Sequence, residues 1–251
     1  MSTYVDVRLE NERAFHDDRY RDENREAQDK YYEGLQESDS RFQAFVDRFQ
    51  PGDRVLELGC GIDSLAFTLV DRGIEVVGID ISPVAVEVAR EEADHRDLTG
   101  LTFLEMNAEV LDFDADSFDG VIGTAVLHHL DVVCAYSEMA RVLRPGGRAV
   151  FIEPLGHNPL INAYRNRTPE NRTEFEHPLR CEDFSLAGRY FDDVHVEMFH
   201  LFAILSSPVA KRWWGRPVHR ALSWVDRRLL QLSQRFRWHA WIAVAELHGP
   251  R

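Results

Sequence analysis

The sequence predicts an α/β fold in which a mostly parallel sheet is covered by helices on both faces. Short apolar runs recur at 54–59 (RVLELG), 75–81 (EVVGIDI), 101–106 (LTFLEM), 118–124 (FDGVIGT) and 148–153 (RAVFIE). Amphipathic stretches separate several of them: SLAFTLVDRG, PVAVEVAREEADHR and AYSEMARVL. Strand, helix, strand, repeated, implies parallel crossovers. With 251 residues, 44% hydrophobic and 29% charged, the chain is long enough to bury a sizeable core but short for a second full domain.

Taken in order, residues 1–50 are polar with aromatic punctuation, and Phe42, Phe45, Val46 and Phe49 have helical spacing, which predicts a helical N-terminal lid. A domain over 51–251 follows. In it Ser82 and Pro83 have the types of an N-cap and first helical residue, and Pro145-Gly146-Gly147 is expected to end the helix holding Met139 and Leu143. Four prolines (Pro154, Pro159, Pro169, Pro178) make the next segment a loop with short helices at most. A helix at 182–189, a strand at 191–199 and a last strand at 236–245 complete the sheet, with a basic helical insertion at 206–235 between those two strands.

The net charge is −14, unevenly placed. Residues 206–251 carry nine Lys/Arg against Asp226 and Glu246, +7, which leaves −21 on the rest. An acidic body of that size repels phosphates and argues against nucleic acid as a partner. Cys60, Cys134 and Cys181 have no C-x-x-C spacing, which excludes a disulfide scaffold or zinc finger. The charged start MSTYVDVRLENERAF has no secretory h-region, and no apolar stretch approaches the roughly 18 residues of a membrane span. The expectation is a cytoplasmic protein.

The first strand ends in VLELGCGID, with Glu57, Gly59 and Gly61 at the turn into a helix. Glycines let the backbone approach a ligand, and a helix N-terminus favours negative charge. Nineteen residues past Gly61, Asp80 closes the second strand, where a carboxylate can accept from both hydroxyls of a ribose. This context implies a nucleoside-bearing cofactor. Ser64 stands at the third glycine position of the dinucleotide fingerprint, and no G-x-x-x-x-G-K-[ST] occurs. Glu57 would repel a pyrophosphate but attract a sulfonium or ammonium group.

On these residues the chain resembles the class I S-adenosylmethionine-dependent methyltransferases, the small-molecule branch called methyltransferase type 11. VLELGCG and VVGIDIS resemble the family's first two motifs, NAEVLDFDADSFDGVIGTAVLHHL the stretch around its third and fourth strands, and RVLRPGG its helix-to-strand turn. The resemblance covers about 52–153. It implies a seven-stranded Rossmann-like sheet, with the N-terminal extension and the insertion before the last strand added to it. It also implies S-adenosyl-L-methionine as cofactor: Gly59, Cys60 and Gly61 around the methionine part, Glu57 at its amino group, Asp80 at the ribose, Ile81 on adenine, Asn107 and the Ala108 amide at the adenine edge, and Thr124 completing the set. The family more often has Asp where Asn107 stands and a third glycine where Asp63 stands.

For chemistry the candidates are His128 and His129, past the fourth strand, and Glu153, at the end of the fifth. Carboxyl ends of strands line the crevice of open α/β sheets. The trio is similar to that of sugar O-methyltransferases, where paired histidines and an acid deprotonate a hydroxyl. His157 and His177 are candidates for an acceptor pocket. Adjacent histidines are expected to point apart, and no paired Asp/Asn ligands stand out, so no metal is expected. In 206–235, Arg alternates with Trp213, Trp214 and Trp224, and Leu222, Val225, Leu229 and Leu232 form a helical stripe. This suits either a structural cover or adsorption to anionic lipid or a lipid-linked acceptor. The reading is O-methylation of a small-molecule, sugar or lipid-linked acceptor. N- or C-methylation, a non-catalytic binding protein and a nicotinamide oxidoreductase are the alternatives.

Overall fold

The computed structural model describes residues 2–21, 36–167, 173, 175–203, 215–237 and 239–251. A seven-stranded sheet runs β1 Arg54–Leu58, β2 Glu75–Asp80, β3 Leu101–Glu105, β4 Phe118–Thr124, β5 Leu143–Pro154, β6 Phe191–Phe199 and β7 Ile242–Pro250, in the spatial order β3-β2-β1-β4-β5-β7-β6. The first five are parallel, and β7 runs antiparallel between β5 and β6. The order reverses between β1 and β4, which places a ligand crevice at their carboxyl ends. Strands covered on both faces read as continuous apolar runs, as in Val55, Leu56 and Leu58 of β1 and Val76, Val77 and Ile79 of β2, all buried.

Ten helices, counting one 3₁₀ turn, are described: α1 Ser2–Arg21, α2 Gln36–Val46, α3 Ala66–Val70, α4 Pro83–His95, the 3₁₀ turn Leu127–His129, α5 Val132–Val142, α6 Pro159–Arg165, α7 Cys181–Ala187, α8 Gly215–Leu232 and α9 Gln234–Arg237. The α4 start is as the sequence indicates: Ser82 Oγ accepts from the Ala85 amide, with Pro83 in the first turn. The N-terminal extension divides. Phe42, Phe45, Val46 and Phe49, in and just after α2, are buried in the core against β5 and β7, and a Cβ on Gly120 of β4 would lie 2.2 Å from the Phe49 ring, so the glycine makes room for it. Among the described residues of the extension, α1 is the part that lies at the carboxyl ends of the strands.

Three expected boundaries move. The α5 helix stops at Val142, and Pro145-Gly146-Gly147 sit inside β5, where the register with β4 slips between Phe118 and Gly120; Gly146 takes φ 83° there. The last strand is 242–250, not 236–245, because residues 234–237 form α9 and β7 is an interior strand with Ile242–Leu247 buried on both sides. In α8 the expected stripe is half-buried at Leu222, Val225 and Leu229 and ends at Leu232, which is 78% exposed; the helix is further anchored by Leu230 and by Asp226, whose carboxylate accepts from the Leu201, Phe202 and Ala203 amides. Residues 204–214 of the basic stretch, with Trp213 and Trp214, lie outside the described residues. Among the described residues no helix is long and apolar enough to cross a membrane.

Candidate active site

The glycine loop after β1 is left-handed at Gly59 (φ 64°) and Gly61 (φ 54°), a conformation that L side chains rarely adopt. A Cβ on Gly59 would lie 2.8 Å from Val126 and one on Gly61 3.0 Å from the Tyr20 hydroxyl, so the loop is packed between α1 and the turn after β4. Asp80, at the end of β2, accepts from the Gly61 amide (2.9 Å) with one oxygen and from the Ser82 amide (2.9 Å) with the other. Each oxygen retains acceptor capacity, and burial pushes this carboxyl's pKa up. Cys60 is buried, its amide donates to the Ile79 carbonyl, and burial raises its thiol pKa well above the ordinary value. It is therefore a filler and not a nucleophile.

Glu57 is engaged elsewhere than the loop. Its carboxylate accepts from the Ser64 hydroxyl and from the Leu65 (2.9 Å) and Ala66 (3.3 Å) amides, closing the first turn of α3. Burial raises its pKa to about 7. At the far side, Asn107 Oδ1 accepts from the Glu109 amide (2.9 Å) in a local turn, Ala108 is buried, Ile81 is half-buried and Thr124 is exposed at the end of β4.

The turn after β4 carries the densest chemistry. Glu153 Oε1 accepts from the Val126 and Leu127 amides, both at 2.8 Å, and Oε2 lies 2.8 Å from His128 Nδ1. A carboxylate held this way assigns the proton to Nδ1 and leaves Nε2 as an acceptor; that nitrogen lies 3.9 Å from Glu176 Oε1. Burial, aided by the charge of Arg165, pushes His128 down to about 3, while burial pushes Glu153 up to about 7. The imidazole is thus neutral at physiological pH, and the neighbouring carboxylates do not outweigh burial. The 3₁₀ geometry also corrects the expectation that the two histidines point apart: their rings lie 4.1 Å apart at 38°. His129 faces α1, with Nδ1 3.0 Å from Glu12 Oε2.

Helix α1 crosses these strand ends. Arg8 donates to the His129 carbonyl (2.9 Å) and to both oxygens of buried Glu109 (2.5 Å), Arg13 pairs with Glu105 at the end of β3, and the Ser82 hydroxyl donates to Asp17 (2.5 Å). Glu12, His16, Tyr20 and Arg8 were not singled out from sequence; the Glu12-x-x-x-His16 spacing, which puts both on one helix face, was the available signal. His157 lies apart from this group and accepts from the Cys181 amide (3.3 Å) at the start of α7. His177 is exposed, its amide donating to the His128 carbonyl.

Residues 56–151 match the family model described as "Methyltransferase domain". The domain is 40% identical over 116 residues to the aklanonic acid methyltransferase DauC of Streptomyces sp. (strain C5), a match covering 44% of this chain and 53% of the relative. It is 36% identical over 120 residues to the ubiquinone/menaquinone biosynthesis C-methyltransferase UbiE of Rhizobium johnstonii, covering 46% of each. The chain spans about half the length of the curated relatives it matches. The fold recurs in phosphoethanolamine N-methyltransferase 2 of Haemonchus contortus, solved with S-adenosyl-L-methionine, at a TM-score of 0.61 and 19% identity, covering 84% of this chain and 53% of that one.

Proposed function

We propose that this chain is an S-adenosylmethionine-dependent methyltransferase acting on a hydroxyl of a small-molecule acceptor. The observation that carries the reading is the buried His128–Glu153 pair beside the glycine loop, joined to it by Val126, which packs on Gly59. The residues present fit the cofactor. The left-handed glycines leave no room for side chains, Asp80 keeps acceptor capacity for ribose hydroxyls, and Ile81, Asn107, Ala108 and Thr124 stand at the adjoining strand ends. Glu57, with three donors already on its carboxylate, serves the loop by fixing α3 and meets the amino group of methionine only through its remaining lone pair.

When bound, S-adenosylmethionine supplies an electrophilic methyl group on its sulfonium. The chain's part is to hold the acceptor oxygen in line and to take its proton. Neutral His128, with Nδ1 tied to Glu153, offers Nε2 as that acceptor. Because burial makes it a weak base, the larger share of the rate comes from positioning in a site from which α1 excludes water. His129 faces α1, with Nδ1 at 3.0 Å from Glu12 Oε2. The acceptor reading also includes lipid-linked molecules: α8 exposes Val218, Trp224 and Leu232 next to Arg216, Arg220, Arg227 and Arg228, with the Arg228 guanidinium 5.5 Å over the Trp224 ring. That surface suits peripheral contact with anionic lipid.

The test is transfer of labelled methyl from S-adenosylmethionine to a panel of phenols, sugars and quinols, with the methylated atom located by NMR. Label on oxygen is the expected result. Label on carbon or nitrogen overturns the hydroxyl assignment, and tight binding of S-adenosylhomocysteine without transfer to panel or cell extract overturns catalysis.

A further inference from the structure

One cluster of ligand-type atoms has no part in proton transfer from the acceptor. Glu12 and His16 stand one turn apart on the same face of α1, and both are directed at His129. Glu12 Oε2 lies 3.0 Å from His129 Nδ1 and 3.7 Å from His16 Nε2, and one ligand atom from each of the three residues falls within 4.8 Å of the other two. Glu12 is only 3% exposed. Its Oε2 and His129 Nδ1 are both shielded from solvent and face each other at ion-pair distance, and among the described residues neither has a partner in hydrogen-bond geometry. A buried carboxylate oxygen and a buried ring nitrogen left this way are costly unless something else satisfies both.

A metal ion does so. Zinc bound by imidazole nitrogen and carboxylate oxygen at about 2.0–2.2 Å in tetrahedral geometry sets its ligand atoms about 3.3–3.5 Å apart. The observed 3.0 and 3.7 Å bracket that spacing. Two imidazoles and one carboxylate favour zinc and its first-row neighbours over magnesium or calcium, which take oxygen-only shells. The other oxygen of Glu12 accepts from the Thr173 hydroxyl, the kind of outer hydrogen bond that orients a ligating carboxylate.

We propose that Glu12 Oε2, His16 Nε2 and His129 Nδ1 bind one divalent transition-metal ion of the zinc class. The ion ties α1 to the turn after β4 and keeps a fourth position open beside His128. This inference does not depend on methyl transfer, since the ligands and their spacing stand without it.

Untagged full-length protein, stripped with chelator, is titrated with Co2+ and then Zn2+. The expected result is one equivalent of Co2+ with the intense visible bands of a four- or five-coordinate site, displaced by Zn2+. Glu12→Gln and His16→Asn, which keep size and helix length, should each weaken Co2+ binding at least 100-fold, whereas His157→Ala should leave it unchanged. X-ray absorption of the zinc-loaded wild type should show imidazole scattering, so the answer does not depend on a variant that folds. No saturable binding, binding indifferent to Glu12→Gln and His16→Asn, or a zinc shell without imidazole overturns the site. S-adenosylhomocysteine binding measured on the same samples separates the two readings: retained nucleoside binding without metal defeats only the metal proposal.

Discussion

Asp80 spends one lone pair of each oxygen on the loop it positions, Gly61 on one side and Ser82 on the other, and keeps the rest for a ligand. With the ribose placed there as proposed, Asp80→Ala removes two charge-assisted bonds, each worth roughly 1.5–3 kcal/mol. Calorimetry should show affinity for S-adenosylhomocysteine at least 100-fold weaker with the secondary structure retained; an unchanged affinity moves the ribose elsewhere. At Glu153 the argument turns on which atom carries a proton. In Glu153→Gln the side-chain carbonyl can still accept from the Val126 and Leu127 amides, but the amide NH2 then faces His128 and forces Nδ1 to act as the acceptor. Nε2 becomes protonated and cannot take the acceptor's proton. Turnover should fall on the order of 10²–10⁴-fold, as for His128→Ala, with cofactor affinity near wild type. Full activity in both variants across pH 6–9 would leave positioning as the whole of the chemistry.

At the scale of elements, α1 is held to the strand ends mainly through polar contacts, and that determines how it fails. Arg8 is 12% exposed and Glu109 6%, and removing one partner of such a pair costs about 3–5 kcal/mol while the other charge stays buried. Glu109 escapes that cost if α1 lifts and admits water, so in Arg8→Ala the penalty is capped by the docking energy of α1. The expected outcome is faster amide exchange confined to 2–21, with the melting temperature of the sheet nearly unchanged; a matching fall in global stability would make α1 part of the core. The α8 surface has its own test. Each arginine near an anionic membrane contributes about 1 kcal/mol, so several in register give reversible, salt-sensitive binding. Sedimentation with phosphatidylserine vesicles should show binding at low salt that is lost at high salt and in Arg216→Glu, Arg220→Glu; no binding at low salt leaves α8 a structural cover. The elements differ in how legible they were. Strands β1, β2 and β4 announce themselves because burial on both faces demands continuous apolar runs, and the glycine loop because φ near +60° demands glycine. The partners of His129 were invisible, since nothing local to α1 says that its Glu12 and His16 meet a turn more than a hundred residues away. Asp226 entered the sequence reading only as a charge, because its buried role as the acceptor for three backbone amides depends on Leu201, Phe202 and Ala203, more than twenty residues away.

The molecule as a whole sets titrating groups of opposite sign against one another. Burial depresses His128 to about 3 and His200, whose Nε2 lies 3.0 Å from Ser38 Oγ, to about 4, from the ordinary 6.5. Below pH 6.5 the unfolded chain binds protons that these histidines refuse, so their contribution is present above 6.5 and is lost as pH falls toward 4 and 3. Glu57 and Glu153 are raised to about 7 from 4.5, so the folded chain holds protons that the unfolded chain releases. Their contribution is present below 4.5 and is lost as pH rises through 7. Between 4.5 and 6.5 these four groups set two protons that favour the unfolded chain against two that favour the folded, each worth about 1.4 kcal/mol per pH unit, and the remaining shifts oppose one another in the same way, His129 and His157 being lowered and Glu37, Asp39 and Asp80 raised. Below 4.5 Glu57 and Glu153 are protonated in both states and no longer oppose the histidines, which are joined by Glu12 and Glu138, whose pKa values are lowered in the fold. Stability from urea melts at half-unit steps should therefore be nearly flat from pH 6.5 to 4.5 and fall steeply below it. A steep loss already between 6.5 and 5 would mean that the buried histidines act without the opposing carboxyls, and that Glu57 and Glu153 are ionised in the folded protein throughout that range.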